Sequence, residues 1–126
     1  MQRTLIVFGA VLAASAGLAF AAVELDTDLM QNIDDTNKSL ASNIALKDGK
    51  AAIADAKSMN TMFGTVETYF VQKGDAANAV DLTKKSRELT LTIVNAVTSG
   101  DYDAATDAAT TLSRTCKTCH TFYKKE

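Results

Sequence analysis

Three Asp/Gly pairs in a chain without proline constrain its folding more than any other feature: Asp48-Gly49, Gly74-Asp75 and Gly100-Asp101. Glycine suits the position just beyond a helix, where a left-handed backbone is needed. Aspartate suits the position just before one, where its carboxylate accepts free backbone N–H groups. Between long runs without proline, such pairs mark where one helix stops and the next restarts. They predict four helices of roughly similar length, over about 28–47, 50–73, 76–99 and 102–125.

Apolar spacing agrees. Met30, Ile33, Leu40 and Ile44 recur at helical intervals in the first segment, with Asn37 as the polar member of the stripe. Ala52, Ala56, Met59, Phe63, Val66 and Phe70 alternate by four and three in the second, the cleanest period in the chain. The third carries Ala79, Leu82, Leu89, Ile93 and Val97, and the fourth Tyr102, Ala105, Ala109, Leu112, Cys116 and Cys119. Threonines in the last two segments lower helix propensity, so packing must hold those helices. Four amphipathic helices joined by very short turns pack antiparallel, which predicts an all-α, up-down-up-down four-helix bundle.

Residues 1–21 read as an export signal rather than as part of that bundle. Arg3 supplies a positive charge, residues 5–22 carry none, and Ala19-Phe20-Ala21 has the small-x-small form of a cleavage site before Ala22. A membrane anchor fits less well, because the segment is short and rich in alanine and glycine. The expected mature domain is residues 22–126, periplasmic and without a membrane anchor. All 15 acidic residues but only 12 of the 13 basic ones fall in it, so its side chains sum to −3. That balance argues against nucleic acid, whose binders present a basic face. A core of small aliphatic side chains buries modest area, and a large apolar cofactor would supply what it lacks.

Cys116-Lys117-Thr118-Cys119-His120 names that cofactor. Two thiols at this spacing add across haem vinyl groups to form thioethers, and the histidine that follows offers a nitrogen to the iron. On a helix, residues three and four apart lie on one side of the same turn. Other readings of the cysteines fit less well. A thioredoxin-like site needs a βαβ setting, and this chain has no strand pattern. Structural zinc needs four ligands, and the cysteines with the only histidine supply three. A disulfide across one helical turn would be strained. One covalent haem c is therefore expected, with Cys116 and Cys119 as anchors and His120 as the proximal iron ligand.

The motif lies near the C-terminus, on the last helix. From Ser99-Gly100-Asp101-Tyr102-Asp103 through Cys116-Lys117-Thr118-Cys119-His120-Thr121-Phe122-Tyr123-Lys124-Lys125, the chain resembles the last helix of the cytochrome c′ family, more particularly of its low-spin, methionine-ligated members. Cytochrome c′ is itself a standard example of the four-helix bundle. The close resemblance covers about the last quarter of the chain; elsewhere it lies in architecture and helix order. It implies the same anchors and proximal ligand. One departure is Lys124, where the family usually has arginine; lysine keeps the charge but loses the bidentate fork for a propionate.

The sixth ligand sets the expected function. Helix four should carry His120 to the end of the bundle where helix one begins, and Met30 sits about one turn into helix one. Asp28-Leu29-Met30-Gln31 also looks like the segment in which the low-spin relatives carry their axial methionine. Met59 and Met62 fall nearer mid-bundle. Phe63, Tyr69 and Phe70 are candidates to wall the haem, Phe70 foremost because it lies at the right end of helix two. With Met30 bound, the iron has no open position, and outer-sphere transfer of one electron follows, with redox proteins as partners. With Met30 as ordinary core filling, a five-coordinate iron would bind nitric oxide or carbon monoxide. No acid–base pair or nucleophile points to other catalysis, so an electron carrier rather than an enzyme is expected. Members of the family often form homodimers through the first helix, which the resemblance extends to this chain.

Overall fold

The computed structural model describes residues 25–123. The expected export signal (1–21) lies outside them, as do Lys124 and Lys125 at the expected end of helix four. The described residues form four α-helices and no strand: α1 (Thr27–Ala45), α2 (Gly49–Lys73), α3 (Ala77–Thr98) and α4 (Tyr102–Tyr123). Each packs on its neighbour in sequence and α1 also meets α4, which closes the up-down-up-down ring; the α1–α4 seam is the most loosely packed of the four. No described helix is long and apolar enough to cross a membrane.

One of the three turns follows the expected chemistry closely and a second follows it in part. Gly100 (φ 74°) is left-handed, Gly100 N–H donates to the Val97 carbonyl at 3.0 Å and Asp101 N–H to that of Ala96 at 2.8 Å. That is a Schellman ending, and the Asp101 carboxylate then caps α4 by accepting the Ala104 N–H at 3.0 Å. The first turn has the same ending, with Lys47 N–H on the Ile44 carbonyl at 3.0 Å and Asp48 N–H on Asn43 at 2.9 Å. Here Lys47, not a glycine, takes the left-handed position (φ 55°). Asp48 caps α2 through the Ala51 N–H. Gly49 is instead the first residue of α2, where a Cβ would stand 2.8 Å from the Tyr102 hydroxyl. In the second turn Gly74 and Asp75 are both left-handed. Asp75 therefore does not cap α3, whose N-cap Ala76 offers no side-chain hydrogen bond.

The expected stripe of α2 is buried in full. In α1, Ile33, Leu40 and Ile44 are buried and Met30 is half-buried. Helix α3 departs from expectation: Leu82 and Leu89 are half-buried, while Thr83, Ser86 and Thr90 occupy enclosed positions beside Ala79 and Ile93. Their hydroxyls donate to carbonyls of their own helix, Thr83 to Ala79 (2.6 Å), Ser86 to Leu82 (2.8 Å) and Thr90 to Arg87 (2.6 Å). A hydroxyl satisfied in this way enters a core at little cost. Leu40, Met59, Ile93 and Leu112, one from each helix, are fully enclosed at the centre.

Candidate functional site

Helix α4 carries the motif, and its local sequence explains how. Asp101 caps its start, and Ala105, Ala108, Leu112 and Thr115 turn one face into the core. Cys116 continues that face and packs, half-buried, against the core cluster; Cys119, one turn on, is also half-buried, and His120 is exposed. Both thiols are free. Burial, reinforced by the neighbouring Cys119, pushes the Cys116 thiol up to about 11, and burial raises Cys119 as well. Arg114 and Lys117 point to solvent.

The place of Met30 relative to this turn follows from two contacts between the α1 and α4 arms. Asn37 Nδ2 donates to the Ser113 hydroxyl at 3.2 Å, and at the far end the Tyr102 hydroxyl donates to the Lys47 carbonyl at 3.2 Å. Ten residues separate Asn37 from Lys47 and eleven separate Ser113 from Tyr102, so the two contacts agree on the antiparallel register to within one residue. Continued the other way, seven residues before Asn37 is Met30 and seven after Ser113 is His120. Seven residues advance a helix by about 10.5 Å and return to within about 20° of the same face. Carried on in this register, Met30 and His120 lie at a similar level along the bundle, Met30 half-buried and His120 exposed. Asp34, four residues on from Met30, is near enough to Cys116 to act on its thiol electrostatically. That residue carried no signal in the sequence, because its position is set only by the register.

The other methionines lie elsewhere. Met59 is enclosed at the centre of the bundle. Met62 lines an outward groove between α1 and α2 with Asn32, Asp35 and Ser58. Phe70 is buried, with its ring centroid 5.1 Å from Tyr69 and 5.1 Å from Tyr123. It joins α2 to the last turn of α4, one turn beyond His120. Phe63 is ordinary core.

Around the motif Leu25, Leu29, Met30, Tyr69 and Tyr123 are partly covered and Phe122 is 63% exposed. Similar apolar surface also stands elsewhere on the bundle, at Met62, Leu89, Leu91 and Leu46. No three His, Cys, Asp or Glu side chains converge into a metal cage among the described residues. Cys116, Cys119 and His120 lie along one turn of α4, whereas a structural zinc ion needs four converging donors. Comparison with protein-family models, curated proteins and solved structures finds no significant match to this chain.

Proposed function

We propose that this chain is an exported c-type cytochrome that carries one electron through a single haem. Cys116 and Cys119 would anchor the haem as thioethers, with His120 and Met30 as its axial ligands. What supports this reading is the Cys-x-x-Cys-His turn on α4 together with an α1–α4 register that, carried on from Asn37 and Ser113, runs Met30 towards the same level. When bound, the haem supplies a one-electron iron couple. Cys116 and Cys119 would hold it covalently, and the His120 imidazole and the Met30 thioether would be its protein ligands to iron. A thioether is a soft, neutral donor suited to ferrous iron. With both ligands supplied by the chain, the group would serve electron transfer rather than binding of substrate or gas. Phe70 and Tyr123 pack ring against ring at this end of the core.

Denatured holoprotein in alkaline pyridine should give a c-type haemochrome that acid acetone cannot strip. The ferric protein should show the weak near-infrared band of histidine/methionine haem. Met30→Ala should abolish that band and open the ferrous iron to carbon monoxide. Extractable haem, or bound zinc, would refute the covalent assignment. A high-spin parent that binds carbon monoxide or nitric oxide freely would make Met30 core packing and the chain a gas-binding protein.

A further inference from the structure

The α1–α4 seam is lined by small side chains. Beyond Asn37 and Ser113 it opens into a groove of about 160 Å³ bordered by Ala41, Ile44, Thr106 and Ala109. Smooth surfaces of this kind resist sliding weakly, since one small side chain replaces another as the helices shift. A slip of one turn, about 5.4 Å, would carry Met30 out of reach of the iron, and it would also break the Tyr102–Lys47 hydrogen bond at the far end of the seam. Asn37–Ser113 is the only hydrogen bond that joins α1 directly to α4 among the described residues. It is partly buried, with Ile33 and Leu40 on the core side and Leu112 one residue before Ser113.

We propose that Asn37 and Ser113 are positioning residues: their hydrogen bond locks α1 and α4 at the register that holds Met30 opposite His120. This rests on the haem assignment above. A directional polar pair favours the register in which its two members meet, here Asn37 with Ser113 at the head of a groove that continues past Thr110 and Thr106. Single polar residues fix the register of coiled coils in the same way. The pair stands two turns from the ligand, near enough for helix stiffness to transmit its position and too far to touch the iron.

The test compares purified holoprotein with Asn37→Leu, which fills the same space without the hydrogen bond. The variant should melt at or near the parent's temperature. Carbon monoxide affinity of its ferrous form should rise about fivefold, the factor that a typical net hydrogen bond represents, and the near-infrared band should weaken. Ser113→Ala should reproduce both changes, the double variant should add little to either, and Ser113→Thr, which keeps the hydroxyl, should behave as the parent. Parental band and gas affinity in both single variants would overturn the proposal, as would failure of both to fold, which would make the pair structural. A parent that proves high-spin would refute methionine ligation separately. The clasp is then read by NMR of the ferrous carbonyl form: Met30 methyl contacts to the His120 turn, present in the parent and lost in Asn37→Leu, uphold it, and unchanged contacts overturn it.

Discussion

Gly49 is helical and needs no unusual backbone; its role is close approach, and that can be measured. A Cβ at this position would stand 2.8 Å from the Tyr102 hydroxyl and 3.3 Å from Val97 Cγ1. Ordinary contact begins near 3.4 Å, so the hydroxyl must retreat by about 0.6 Å. Its bond to the Lys47 carbonyl is already 3.2 Å long and would not survive. The lost bond removes about 0.5–1.5 kcal/mol, and residual crowding adds to that. Alanine's better helix propensity returns at most about 1 kcal/mol. Gly49→Ala should therefore destabilise the parent by about 1 kcal/mol. In a Tyr102→Phe background the hydroxyl is gone and the nearest ring atom is Cζ at 4.0 Å, so the same substitution should become neutral or stabilising. A coupling of about 1–2 kcal/mol follows, or several degrees in melting temperature for a domain of this size. Thermal unfolding of the four proteins by circular dichroism measures it. An equal cost of Gly49→Ala in both backgrounds would show that the Tyr102 contact is not the cause.

Gly100→Ala should behave in the opposite way: its Cβ meets nothing within 4 Å, but φ is 74°, so a loss of about 1 kcal/mol should appear in thermal melts and no neighbouring substitution should rescue it. Gly64→Ala, whose Cβ would make ordinary contact with the Arg87 guanidinium at 3.7 Å, should stabilise by about 0.5–1 kcal/mol, and a fall in urea midpoint would contradict this. In apoprotein, Cys116 should react slowly with iodoacetamide at neutral pH and faster as pH approaches about 11. Because the folded thiol holds its proton above the unfolded value near 9, it favours the unfolded state as pH rises from about 9 to about 11, so apoprotein stability should fall across that window. The thioether-linked holoprotein has no such thiol and should lack the slope, which pH-dependent denaturant titrations of both forms would test. Leu112→Ala, at the enclosed centre, should cost about 2–5 kcal/mol and lower the melting temperature of the holoprotein sharply; a melt within a degree of the parent would refute its central place.

Helix number, approximate bounds and the whole buried stripe of α2 were legible in the sequence, because they depend on local spacing and turn chemistry alone. So was the motif, since Cys116, Cys119 and His120 occupy consecutive places on one helical turn wherever that helix sits. The turns show where local reading stops. Gly49 looks like the left-handed residue of its turn, yet Lys47 fills that place and Gly49 answers to Tyr102, some fifty residues away. The core of α3 is a second case. Thr83, Ser86 and Thr90 stand outside the expected stripe of Leu82 and Leu89, but hydroxyls that bond to their own helix accept burial, and only the packed neighbours decide which face turns inward. The register of α1 against α4 is the third and the one that bears on function. Helix rise could place Met30 near His120 to within a couple of turns, but no local signal says which residue of one helix lies opposite which of another. That choice comes from contacts between distant residues, Asn37 with Ser113 and Lys47 with Tyr102, and it exists only once the bundle has closed.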